Sequence, residues 1–277
     1  VTTGGNYNIS DIYNSIGTLN SNYYIVSFMN NHRYPILKYN IGTKFIDCTD
    51  NKLLLNNNVM FDTLKNNLNY NSAFEYFILK EEEIFDGQGY TIDLNNNSTS
   101  GLFIVNGTSI ENASVVKNLG VLRGNVYSSS GYIIRGGQKF FRIDNCYSTG
   151  NISLSSGGIV GSHAGSNGGY CIINNCISTG NINGNFSGGI VGRYACYNDG
   201  TCIVTNCTYS GTRISGGEYG GIVGDSAGVG TQQNVRNNSL CKIENCYSSV
   251  DMYNKSGGIV GSRSATDGGN CIIRYCY

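Results

Sequence analysis

Tryptophan is missing from this chain, proline occurs once and histidine twice among 277 residues. Only 13% of the residues are charged, so the chain is neither a proline-rich linker nor a charge-driven disordered segment. The 18 basic and 18 acidic residues cancel. No long-range field therefore gathers nucleic acid or an anionic membrane, and nucleic-acid binding is not expected. No apolar run approaches the roughly 20 residues of a membrane-spanning helix; the best are short stretches such as Tyr23 to Met29. His32 and His163 stand alone, which leaves no histidine cluster for a metal and no Ser-His-Asp order for a triad. An initiator methionine and a basic-then-apolar leader are also lacking at Val1, as expected if a targeting segment was removed or never belonged to this chain.

What is present is equally one-sided. Gly and Asn each occur 39 times, with 29 Ser and 17 Thr, all poor helix formers. A hydrophobic fraction of 40%, with 21 Tyr and 10 Phe, is nonetheless enough for a packed core.

Self-similarity dominates the second half. Gly-Gly-Ile-Val-Gly begins at Gly157, Gly188, Gly220 and Gly257, at spacings of 31, 32 and 37. Each copy is followed by a six-residue string: CIINNC from Cys171 to Cys176, CIVTNC from Cys202 to Cys207, CKIENC from Cys241 to Cys246 and CIIRYC from Cys271 to Cys276. Weaker copies upstream pair SGYIIRG with FRIDNC at 141 to 146, and SGLFIV with SVVKNL at 114 to 119. In every string the third place is Val or Ile and the fourth is polar, the alternation of a strand whose third place faces inward. The fifth is Asn in all but Tyr275, and Asn tolerates the left-handed conformation. A bend there would turn places one, three and six all into a core. A third segment follows, such as Tyr147 to Ile152.

Three short strands in about 30 residues cannot bury their own inward face, whereas stacked copies can. The expected fold is all-β, a right-handed parallel β-helix over residues 84–277, with residues 1–83 as an N-terminal cap region. Within the cap, Tyr23 to Phe28, Tyr34 to Tyr39 and Lys52 to Leu55 read as strands, and Val59 to Leu68 as a short helix. Cys276-Tyr277 falls inside a unit. That implies a longer solenoid, or another chain stacked on this end.

The GGIVG string, the strand ending Asn-Cys-Tyr-Ser-Thr-Gly and the entry segment Phe85 to Ile92 resemble the GLUG-motif repeat family. The resemblance covers about residues 84 to 277. It implies a parallel β-helix in large surface or secreted chains, often adhesins, and also in proteins of large DNA viruses. The cysteine ladders depart from that pattern.

Those ladders are Cys171, Cys202, Cys241 and Cys271, and Cys146, Cys176, Cys207, Cys246 and Cys276, with Cys48 and Cys196 outside them. Within one string the sulfurs lie too far apart to bond, since five strand residues span about 16 Å. Between coils, stacking at about 4.8 Å permits a disulfide Cα separation, although parallel Cβ vectors oppose good geometry. Reduced core thiols, some disulfides and metal binding all remain open, metal least because the spacing is not that of zinc sites. No cofactor or metal is expected.

Candidate surfaces are few. The residue after the sixth place is Tyr147, Ile177, Thr208, Tyr247 or Tyr277. It should point outward, where aromatics can stack on sugar rings or a partner protein. The stretch from the third GGIVG to its first Cys is 17 residues against 10 elsewhere. Asp225 to Leu240 should therefore protrude, offering Asp225 and Arg236 to a ligand. Asp144 and Glu244 share an outer column but stand about 14 Å apart, too far for a glycosidase pair. Ten N-x-S/T sequons occur, near the number expected by chance, and an extracellular form would be a glycoprotein. The chain reads as a non-enzymatic structural or attachment protein of a cell or virion surface, meeting a glycan or a protein. The alternative is a polysaccharide-active hydrolase or lyase, by analogy of fold.

Overall fold

The computed structural model describes residues 76–212, 217–230, 238–252 and 255–277 in full. Of residues 1–75 it describes the backbone of five strands: Tyr24–Met29, His32–Leu37, Val59–Met60, Thr63–Leu64 and Leu68–Asn69.

Alternation in the six-residue string becomes a two-faced strand in each coil. Tyr170–Asn174, Thr201–Thr205 and Leu240–Glu244 bury every second residue. They stack parallel and in register with Ser114–Lys117, Phe140–Asp144 and Asn270–Arg274. With Ile84–Asp86 and two strands further upstream they form a nine-stranded sheet. The third segment of each coil builds a second, seven-stranded sheet that includes Gly120–Leu122, Tyr147–Ser148, Ile177–Ser178, Thr208–Tyr209 and Tyr247–Ser248. The GGIVG segments complete the coil, joined by isolated parallel bridges such as Val160↔Val191 and Val191↔Val223 rather than by strands. The molecule is an all-β parallel β-solenoid, and no helix occurs among the described residues.

The bend at the fifth place is what closes the coil. Asn118, Asn145, Asn175, Asn206, Asn245 and Tyr275 all have φ between 51° and 53°, a region that Asn enters more readily than most residues. Their amides also form ladders, Asn145 donating to Asn118 at 3.1 Å and Asn118 to Asp86 at 2.9 Å. Beyond the bend, Cys146, Cys176, Cys207 and Cys246 turn into the core beside Ile143, Ile173, Val204 and Ile243.

GGIVG is glycine-rich for a steric reason. A Cβ on Gly188 would collide with the Val191 carbonyl, and one on Gly189 with the Gly221 carbonyl and the Tyr209 ring. Ile190 and Val191 are both fully buried, so this arc is covered on either side. The core composition drifts along the axis. Phe77, Phe85 and Phe103 pack with centroids 4.8 to 5.3 Å apart in the first coils, and thiols join the aliphatic core from Cys146 onward.

The N-terminal segments differ from the sequence expectation in one respect. Of the stretch Val59 to Leu68 read as a helix, the described residues Val59, Met60, Thr63, Leu64 and Leu68 are all in strands. Val59–Met60 pairs antiparallel with Thr63–Leu64, Thr63 pairs with Asp86, and Leu68–Asn69 pairs with Thr91–Asp93. So few residues make a marginal helix, while the free edge of the first coil offers a full row of backbone partners. Parallel pairing thus reaches upstream of residue 84. Tyr24–Met29 and His32–Leu37 form an antiparallel pair; Lys52 to Leu55 lie outside the described residues.

Candidate functional site: an aromatic and guanidinium corner

Two ladders of left-handed residues flank the GGIVG arc. Before it stand Ser129, Ser155, Phe186, Glu218 and Lys255, with φ from 55° to 64°; after it stand His163, Tyr194, Ser226 and Arg263, with φ from 55° to 60°. Such angles are costly for side chains of this size. Backbone bonds between coils hold them: Phe186 N–H donates to the Gly217 carbonyl at 3.2 Å, Tyr194 N–H to Asp225 at 3.0 Å and His163 N–H to Arg193 at 2.8 Å. The two ladders are tied together, since Arg193 N–H donates to Ser155 and Asp225 N–H to Phe186, both at 3.2 Å. Side chains from four coils therefore gather on one outer corner.

Asp225 anchors that corner. It is fully buried and accepts hydrogen bonds from Ser226 and Ser262 at 2.7 Å, from Arg193 Nε at 2.9 Å and from Arg263 Nε at 3.1 Å and Nη2 at 3.0 Å. Burial alone would raise its pKa, but these donors outweigh burial and hold the carboxyl below its usual value. Arg263 also reaches Glu218 at 3.3 Å, and Lys255 reaches Glu218 at 3.7 Å. The Arg193 guanidinium lies 4.1 Å from the Phe186 centroid and 4.2 Å from that of Tyr194. Tyr194 in turn packs on His163 at 5.0 Å and Tyr197 at 5.7 Å. Burial and the nearby Arg193 charge lower the His163 pKa, so His163 is neutral at pH 7. Asn185, Phe186, Gly217, Glu218 and Lys255 line a hollow of about 400 Å³ beside this array.

The structure brings together only part of what the sequence suggested. Asp225 is corrected: it does not ride on a protruding loop, because residues 225–230 stay buried and their backbone continues the coil, Gly228 N–H donating to Ala195 at 2.9 Å. Arg236 lies outside the described residues. Tyr147, Tyr247 and Tyr277 do occupy one outward column. Tyr147 is half-buried over Gly120, and Tyr247 and Tyr277, 37% and 80% exposed, meet at 5.2 Å. Ile177 and Thr208 separate Tyr147 from that pair. Asp144 and Glu244 are three strands apart in register, with Asn174 and Thr205 between them.

Phe186, Arg193, Tyr194, Glu218, Lys255 and Arg263 were not singled out in the sequence. The signal was there, in the positions two before and two after each GGIVG for all of them but Arg193, which directly follows its motif. Those positions vary in size and charge while the motif between them does not.

All ten described cysteines are free. In the second ladder each thiol donates to the carbonyl two residues back, as Cys176 to Asn174 at 3.2 Å and Cys207 to Thr205 at 3.1 Å. Cys196, outside both ladders by spacing, is buried within hydrogen-bonding reach of Cys241. No group of three or more His, Cys, Asp or Glu side chains among the described residues is arranged to hold a metal ion.

No protein-family model and no curated protein matches the chain. A solved structure from Bacteroides ovatus, provisionally named an immunoglobulin A1 protease, is similar to it with a TM-score of 0.52 and 19% identity, over 78% of this chain and 67% of that one. At that identity the likeness is one of fold.

Proposed function

We propose that this chain is a non-enzymatic structural or attachment module of a cell or virion surface, a β-solenoid that holds outward ladders in fixed positions for a glycan or protein partner. One observation carries the reading. On a scaffold filled with apolar side chains and thiols, aromatic rings, guanidinium groups and a hollow of about 400 Å³ converge on a single outer corner. Aromatic and arginine side chains fixed in this way are typical of recognition surfaces. The resemblance of the repeat to GLUG-motif surface chains supports the same reading.

A second reading comes from the similar solved structure, whose name is that of a protease, and from the polysaccharide enzymes that share β-helical folds. A single set of assays separates them. The purified chain is screened for retention on a glycan array and on whole cells, and for turnover of a polysaccharide panel and of immunoglobulin A1. Retention without turnover is the expected outcome; bond cleavage of any of these substrates would overturn the non-enzymatic reading.

A further inference from the structure

We infer that the corner is a binding site for a single acidic sugar unit, with Arg193 as the group that recognises its carboxylate. The inference deepens the attachment reading and rests on it for the use to which the site is put. Arg193 Nε is engaged by Asp225 at 2.9 Å, and its guanidinium lies against Phe186 and Tyr194. Its two Nη nitrogens have no acceptor among the described residues, while the side chain keeps 20% of its surface exposed. A guanidinium held by a carboxylate and by two rings has little freedom left to lose, and its open edge matches the paired oxygens of a carboxylate.

The surrounding charge fixes the valence of the ligand. Arg193, Arg263 and Lys255 stand against Asp225 and Glu218, and His163 is neutral. Among the described residues the excess is one positive charge, which suits one anionic group. The hollow, which shares the Phe186 ring with Arg193, has a lining that suits hydroxyls. Glu218 offers carboxylate oxygens, Asn185 an amide whose oxygen already accepts from Gly217 N–H at 2.8 Å, and Lys255 an ammonium that is largely exposed. A hollow of about 400 Å³ accommodates one six-membered ring with its substituents. One carboxylate together with several hydroxyls on such a ring is the chemistry of a uronic acid.

The test is calorimetric titration of the intact chain with D-glucuronate and with D-glucose, at low and high salt. Glucuronate should bind about tenfold more tightly than glucose and weaken as salt rises. R193K keeps the charge beside Asp225 but loses the fork, and should weaken glucuronate about tenfold with glucose unchanged. K255Q, at an exposed position, should cost only about two- to threefold. Melting curves of both variants report whether the coil is intact. Equal binding of the two sugars, no binding of either, or an R193K variant that binds glucuronate as the native chain does would overturn the inference. So would a glutamate-rich peptide that binds more tightly than glucuronate. Failure of the attachment reading shows separately, as loss of retention on arrays and cells with the glucuronate titration intact.

Discussion

At the scale of single residues the corner is held by one carboxylate. In Asp225→Asn, Arg193 and Arg263 lose the charge that both approach at about 3 Å, and removing one partner from a buried ion pair costs more than the pair contributes. Asp225→Asn should destabilise the chain by about 3 kcal/mol, read from the urea midpoint. The pH dependence follows from the same contacts. Asp225 is held below its usual pKa, as are Asp93, bonded to Arg123, and Asp86, where bonds from Asn118, Gln88 and Lys117 outweigh burial. Carboxyl groups lowered in the folded state contribute stability that is complete above their unfolded value, about 3.9, and lost as pH falls through the folded value. Stability should therefore decline in acid below about pH 4, and Asp225→Asn should flatten that decline, in urea titrations at stepped pH. An unchanged acid limb would contradict the assignment. Asp225 also shows where sequence reading stops. Its position after GGIVG was visible, but its burial depends on Arg193, Ser262 and Arg263, which lie 32, 37 and 38 residues away.

The elements divide into those that alternation specifies and those that contact specifies. The six-residue strings were legible because a period of two, repeated coil after coil, has one physical meaning. The bend at the fifth Asn was legible for the same reason, since the alternation fails at the sixth place unless the chain turns there. The GGIVG arc was legible as a repeat but not as a shape. Its first two glycines are required by neighbouring carbonyls and by side chains of the facing sheet, which no local pattern reveals. Gly188→Ala tests this. A methyl group there meets the Val191 carbonyl and the Gly224 nitrogen, so the backbones of two coils must shift, at a cost of about 3 kcal/mol. A melting temperature equal to that of the native chain would show that the arc has room. The described residues of Val59 to Leu68 are strand and not the expected helix, because a few apolar residues fit either period and the edge of the first coil offers backbone partners.

At the scale of the whole molecule the thiols report on the stack. Burial raises the pKa of Cys171 and Cys196, and bonds to the neighbouring thiols Cys171 and Cys196, together with burial, raise those of Cys202 and Cys241, so thiolate is scarce. Cys271 and Cys276 are only partly buried. In a Cys48→Ser background, iodoacetamide should label Cys276 first and Cys202 only as the chain unfolds, resolved by peptide mass spectrometry. Rapid labelling of Cys202 under native conditions would contradict the stacking.

The sequence by itself determined the period, the inward face of each strand, the turn at Asn and the two thiol ladders. Each is a local property restated in every coil, and repetition made it readable. The tertiary structure alone decided which outward side chains meet. Phe186, Arg193, Glu218, Lys255 and Arg263 are spread over 78 residues of chain, and they share a corner because stacked coils bring equivalent positions to within about 5 Å of one another. Nothing in the composition of any single coil carries that information. The in-register stacking of one coil on the next carries it.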